Sequence, residues 1–278
     1  MKKLYISDLD GTLLQPSVEL SSTTIEILNH LLQQGMLFSV ATARSIASVK
    51  TILKDVKLSL PIILMNGVCI YDLGKDDYIK VETFPKESSD CLLSIIKEYQ
   101  LKGFAYTIKN GTMSTYYEDL NSKALNDFYQ ERVDRYGKKF IQINDFSSLS
   151  GEPIIYFSLM DRKEVLEPMF QKFSKITELN CTFYKDNYSP EYWYLETFSK
   201  TASKYHAVEY LRSYLKLDSI TCFGDNRNDL PLFEASDYKI AVDNAVAELK
   251  EKADLIIGPN YEDGVATWLM NNVIKGTP

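Results

Sequence analysis

Two short acidic stretches carry the side chains best suited to chemistry. Residues 7–12 read Ser-Asp-Leu-Asp-Gly-Thr, placing Asp8 and Asp10 two apart behind the apolar run "LYI". Residues 224–229 read Gly-Asp-Asn-Arg-Asn-Asp, placing Asp225 and Asp229 behind the apolar run "ITCF". A plain turn accounts for either stretch alone, because Asp and Gly are common loop residues. It does not account for two such stretches, each at the end of an apolar run. A calcium loop beginning at Asp8 has Asp10 and Glu19 at ligand positions, but Leu13 stands where the sharp turn needs glycine. Two carboxylate clusters facing each other repel unless a cation separates them, and a small set of oxygen ligands suits Mg²⁺.

Positive and hydroxyl-bearing partners stand at comparable places. Thr42 and Arg44 follow "LFSVA", and Asn66 follows "IILM". Lys204 lies near the start of a predicted helix, where the helix dipole disfavours a cation unless an anion shares the site. Lys200, four residues earlier, competes for that role. Thr42 either bonds a phosphoryl oxygen or caps the next helix, and Arg44 is either an anion ligand or a solvated residue. Carboxylate pair, hydroxyl, lysine and divalent metal together are the parts of a phosphoryl-transfer site. Other chemistries lack their parts. There is no G-x-S-x-G, P-loop, G-x-G-x-x-G or H-E-x-x-H motif, and the two histidines, His30 and His206, read as ordinary helix residues. A carboxylate, ionised at neutral pH with an unperturbed pKa of ~3.9, is therefore the best available nucleophile.

The elements that must position these groups read as alternating strands and helices. "KLYIS", "MLFSVATAR" and "PIILMNG" are apolar strands separated by helical stretches, the pattern of a parallel sheet covered on both faces. The first helix, "SSTTIEILNHLLQQG", carries a Thr23–Glu26 capping box and an apolar face of Ile25, Leu28, Leu31 and Leu32. From about Thr83 to Asn187 the texture changes. Tyrosines become dense, and "FAYTIKNGTMSTYY" alternates around Asn110-Gly111 as an antiparallel hairpin does. Its alternating aromatic residues read as packing, and no substrate is inferred from them. The first texture then returns with "TASKYHAVEYLRSYLKL", "SITCF", "YKIAVDN" and "DLIIG". The expected organisation is a doubly wound, mostly parallel α/β core over residues 1–83 and 190–278, interrupted by an α+β domain over residues 84–189. In such a sheet the strand ends carrying every motif above line one edge, where ligands bind.

Composition narrows the partners. The 278 residues carry 31 Lys and Arg against 38 Asp and Glu, a net charge of −7. That argues against nucleic acid or an anionic membrane surface as the main partner. The cysteines Cys69, Cys91, Cys181 and Cys222 have no paired spacing and read as reduced packing residues. With no run resembling a signal peptide or membrane span, a cytoplasmic location is expected, and the sequons at Asn110, Asn180 and Asn187 carry no meaning.

Taken together, "DLDGTLL", "TAR", Lys204 and "GDNRND" resemble, in order, the four signature motifs of haloacid dehalogenase-like hydrolases. "NG" at Asn66–Gly67, "SK" at Ser203–Lys204, "DNA" at Asp243 to Ala245 and "NYEDGVA" at Asn260 to Ala266 resemble the Cof-type subfamily, whose cap domain lies between the second and third motifs. The resemblance implies a Rossmann-like core and roles for individual residues. Asp8 forms an aspartyl-phosphate, and Asp10 moves the proton. Asp8, the Asp10 backbone carbonyl and Asp225 hold Mg²⁺, with Asp229 and Asn228 completing the surroundings. Thr42, Lys204 and the backbone around Leu9 hold phosphoryl oxygens, and Arg44 and Asn66 face the substrate. Ala43 stands where the family commonly has glycine, and "TASK" replaces a more usual "GVSK". The implied activity is a Mg²⁺-dependent phosphatase for a small phosphorylated metabolite such as a sugar phosphate, working as a monomer or small homo-oligomer, with a cap that excludes bulk water. A phosphomutase and a non-catalytic metabolite-binding protein are the alternatives.

Overall fold

The computed structural model describes residues 1–185 and 191–273; the Asn187 sequon and the boundary expected at residues 189–190 lie outside the described residues. The chain divides into two compact units, one of Met1–Lys80 with Ser203–Pro278 and one of Val81–Ala202, so the second unit runs on to residue 202, past the expected 189, because residues 192–199 form a strand of its sheet.

The first unit begins with β1 (Lys3–Ser7), α1 (Ser22–Gln33), β2 (Leu37–Val40), α2 (Ile46–Ile52), β3 (Ile62–Leu64), β4 (Cys69–Asp72) and β5 (Asp77–Val81). Leu28 and Leu31 of α1 are buried as the helical period predicts, but Ser21 caps the helix, accepting from the Thr24 amide at 2.9 Å. The Thr23–Glu26 capping box does not form, because Thr24 is buried and its hydroxyl donates to Asp263, 3.1 Å away. That contact sets the helix start two residues earlier.

The second unit contains α3 (Lys86–Glu98), β6 (Gly103–Lys109), β7 (Thr112–Tyr117), α4 (Lys123–Tyr136), β8 (Ile141–Gln142), β9 (Ile154–Arg162), α5 (Lys163–Phe173), β10 (Leu179–Lys185) and β11 (Tyr192–Ser199). Its sheet has the order β10-β11-β9-β6-β7-β8 and is antiparallel except where β7 meets β8. Leu92, Leu93 and Ile96 of α3 and Leu166, Met169 and Phe173 of α5 join Phe157, Leu159 and Leu195 of the sheet in one apolar core. The dense aromatic residues pack largely on one another, as in the stacked pairs Phe104–Phe128 and Tyr156–Phe198.

The first unit resumes with α6 (Lys204–Leu215), β12 (Ser219–Gly224), α7 (Leu230–Glu234), β13 (Tyr238–Val242), α8 (Ala247–Lys250), β14 (Leu255–Ile257) and α9 (Gly264–Val273). Its main sheet is parallel throughout, in the order β14-β13-β12-β1-β2. The strand order reverses at β1, since β2 lies on one side of it and β12 on the other. Ser7 pairs with Phe223, so the residues that follow β1 and β12 emerge side by side at the carboxyl edge. β3 departs from a simple third parallel strand. It meets the main sheet through a single parallel bridge, Ala41 to Ile63, and pairs antiparallel with β4 in a small β3-β4-β5 sheet. The chain reverses there through left-handed backbone at Met65, Asn66 and Gly67, with φ of 50°, 56° and 96°.

Candidate active site

The backbone after β1 places two carboxylates on different sides of one turn. Asp8 is the first residue beyond the strand, and its amide donates to the Phe223 carbonyl of β12 at 3.0 Å. Leu9 to Leu13 then form one wide turn, closed by the Leu14 amide donating to the Leu9 carbonyl at 2.9 Å. Leu9 is fully buried, while Asp10 is exposed. Gly11 reverses the chain at a φ of 77°, and a Cβ there would lie 2.4 Å from Asp225 Oδ2. Only glycine lets this turn and the β12 carboxylate approach so closely. The Thr12 hydroxyl donates to Asp225 Oδ1 at 2.9 Å, joining the two acidic stretches.

Lys204 occupies the centre of the cluster. It is the first residue of α6, behind the cap Ser203, and is 1% exposed. Its Nζ donates to Asp8 Oδ1 at 2.6 Å and to Asp229 Oδ1 at 2.7 Å. The anion that makes sense of a cation at this helix start is therefore the protein's own carboxylate pair. Burial alone would lower the lysine's pKa, but Asp229 and Asp8 outweigh it and raise the value, keeping the ammonium charged. Asp229 is fully buried; its second oxygen accepts from the Asp225 and Asn226 amides at 3.0 and 3.1 Å, fixing the turn after β12. Lys200, the competing lysine, is exposed in the second unit.

The carboxylates are short of positive charge. Burial pushes the Asp8 carboxyl well above the ordinary range; Lys204 pulls it back, while Asp229, Asp225 and Asp10 push it further up. Burial and Asp229 push Asp225 up to about 7, against Thr12 and Lys204. Asp8, Asp225 and Asp229 each offer a carboxylate oxygen, all within 4.8 Å of one another. A hard divalent cation fits this all-oxygen set, because it would supply the charge that one lysine does not.

The remaining residues sit around this cluster. Arg44 grips Asp10 with a two-pronged fork, Nε to Oδ2 and NH2 to Oδ1, both at 2.6 Å. Thr42 is fully buried and does not cap α2, whose cap is Ser45; its hydroxyl accepts from the Arg44 amide at 3.1 Å. Ala43 between them is exposed. The Asn66 amide donates to the Thr42 carbonyl at 3.0 Å, and Gly67 passes so close to the cap of α6 that a Cβ would lie 2.1 Å from the Ser203 carbonyl. Asn66 is buried, yet its Oδ1 accepts from nothing among the described residues. An unpaired buried acceptor on left-handed backbone is costly and marks functional sites. Asn228 is exposed on the turn between Asp225 and Asp229.

The structure also adds residues that the sequence did not single out for this cluster. Gly11 and Thr12 join Asp225, and the Arg44 fork ties Asp10 to the loop after β2. "DGT" contained the signal for the first two, since small and hydroxyl residues beside a carboxylate permit close approach and a bond. Local sequence held no signal for the fork.

Comparison with known proteins agrees with this picture. A family model described as haloacid dehalogenase-like hydrolase matches residues 5–269. A Bacillus subtilis protein named 5-amino-6-(5-phospho-D-ribitylamino)uracil phosphatase is 27% identical, with 99% of each chain covered. An Escherichia coli protein named pyridoxal phosphate phosphatase is 22% identical, with 96% of this chain and 97% of the relative covered. A crystal structure from Thermotoga maritima superimposes with a TM-score of 0.82 at 24% identity, covering 100% of this chain and 99% of that one.

Proposed function

The chain belongs to the haloacid dehalogenase-like hydrolases, and from that premise we propose that it is a Mg²⁺-dependent phosphatase of small phosphorylated metabolites. The observation that carries this reading is the buried Lys204 ammonium between Asp8 and Asp229, with Asp225 in the same carboxylate cluster. A lone lysine among crowded carboxylates is a site built to hold further positive charge and an anionic substrate.

Asp8 and Asp225, with Asp229 behind them, would hold Mg²⁺, which when bound offsets charge on the phosphoryl oxygens. Lys204 anchors the Asp8 side chain, and its ammonium and the Thr42 hydroxyl would hold the same oxygens. Asp8 attacks phosphorus; a bond from its carboxylate oxygen to phosphorus forms as the bond to the ester oxygen breaks. Asp10 gives its proton to the departing oxygen, so the alcohol leaves neutral. The Asp10 carboxylate then takes a proton from water, the water oxygen attacks phosphorus, and phosphate and free Asp8 are released. Arg44 holds Asp10 and is placed to meet the arriving anion, and the unpaired Asn66 oxygen offers an acceptor to the substrate's polar groups. The substrates in the names of the two relatives are both small phosphate monoesters, which supports that class here.

The test is phosphate release from a panel of small phosphate monoesters with Mg²⁺. Turnover that stops in EDTA and in Asp8→Asn is the expected result. Retained turnover in Asp8→Asn overturns the nucleophile assignment, and indifference to chelator removes the metal.

A further inference from the structure

Two stretches of the first unit, Asp243 to Ala245 and Asn260 to Ala266, have no part in the chemistry above. Both reach the turn that carries Asp10. The Asn244 side-chain amide donates to the Gly11 carbonyl at 2.7 Å. Its oxygen accepts from the Asn260 backbone amide at 2.9 Å, and the Asn260 side chain donates to the Leu14 carbonyl at 2.7 Å. Both ends of the Asn244 amide are thus engaged, and the turn is held at Gly11 and at Leu14. The Val246 amide donates to the Asp225 carbonyl at 2.9 Å, so the same loop is tied to the second acidic stretch.

We propose that Asn244, backed by Asn260, is a positioning residue for Asp10 in proton transfer. The direction of the Asp10 Cα–Cβ bond is set by the backbone from Leu9 to Gly11. That backbone is fixed on the strand side by the Asp8 amide on Phe223. Gly11, which lacks a Cβ, constrains its own backbone least, and the bond from Asn244 to its carbonyl supplies a second anchor there. Arg44 fixes the carboxylate end of the side chain, the Leu14 amide on the Leu9 carbonyl closes the turn, and the Asn244 bond holds the turn's backbone from outside it at Gly11. Asn244 is exposed whereas Asn260 is buried. A bond at an exposed side chain adds little to stability, so its two-ended engagement serves geometry.

The inference rests on the proposed function, in which Asp10 protonates the ester oxygen as the bond to phosphorus breaks and is left as carboxylate. Misplacing Asp10 hurts esters whose alcohol must leave protonated and spares those whose leaving group departs as a stable anion. The experiment compares kcat/KM for ribose 5-phosphate and p-nitrophenyl phosphate in wild type, Asn244→Ala and Asp10→Asn, alongside each melting temperature. Asn244→Ala is expected to lower the ratio of sugar to aryl ester by about tenfold, part of the ~10²–10⁴-fold a positioned acid contributes. Its melting temperature is expected to stay within about 2 °C of wild type, as for a surface substitution. Equal loss for both esters, or an unchanged ratio in Asn244→Ala while Asp10→Asn lowers it, overturns the positioning role. A wild type that hydrolyses neither ester, or a ratio unaffected by Asp10→Asn, overturns the proposed chemistry and this inference with it.

Discussion

Replacing Lys204 with methionine tests the electrostatic arrangement directly. The side chain is 1% exposed and its ammonium lies 2.6 and 2.7 Å from two carboxylates, themselves nearly or fully inaccessible. Methionine fills a similar volume and removes only the charge, leaving Asp8 and Asp229 facing each other unpaired. Breaking a buried ion pair by removing one partner costs about 3–5 kcal/mol. At about 2–4 °C per kcal/mol for a domain of this size, the melting temperature should fall by roughly 6–20 °C. Asp8→Asn should behave oppositely. Burial and three neighbouring carboxylates raise the Asp8 carboxyl, so its ionised form is held at a cost that the amide removes, while Lys204 keeps Asp229. That variant should be at least as stable as wild type, and combining it with Lys204→Met should recover about 1–3 kcal/mol. The assay is thermal unfolding followed by circular dichroism in EDTA at neutral pH. A Lys204→Met protein within about 1 kcal/mol of wild type, or an Asp8→Asn protein destabilised as much as Lys204→Met, would refute the reasoning.

Gly11→Ala should fold but lose Mg²⁺ affinity. The new methyl group meets Asp225 Oδ2 at 2.4 Å on left-handed backbone, and calorimetric titration should show at least about tenfold weaker binding. Mg²⁺ binding should also tighten with pH, because protons compete for the Asp225 carboxyl, which is pushed up to about 7. The sign for the metal-free protein is opposite. A carboxyl raised on folding stabilises the fold below the unfolded carboxyl range, and that contribution is lost as pH rises through 7. The rise in melting temperature caused by Mg²⁺ should therefore grow from about pH 6 to about pH 8, and a constant rise would disprove the coupling.

Local order is what the sequence by itself determines about this protein. Apolar runs ended by Asp8, Thr42 and Asp225 identify parallel strands with polar groups at their carboxyl ends, because a strand buried on both faces needs a nearly unbroken apolar run. The hairpin at Asn110-Gly111 is legible as well, since its signal spans only a few residues. The start of α1 is not, because four consecutive Ser and Thr residues could each cap it, and a distant partner, Asp263, decides by engaging Ser21 and Thr24. The turn of β3 into an antiparallel pair escapes an apolar pattern that fits either direction. Only the tertiary structure decides that Lys204 bonds Asp8 and Asp229, that Arg44 grips Asp10, and that Asn244 holds Gly11. The first depends on β1 and β12 being neighbours, with more than two hundred residues between them in the chain, and the second on β2 lying at the other side of β1. Hydrophobic periodicity states which face of an element is buried and says nothing about which element lies beside it; strand order, set by packing of the whole unit, supplies that.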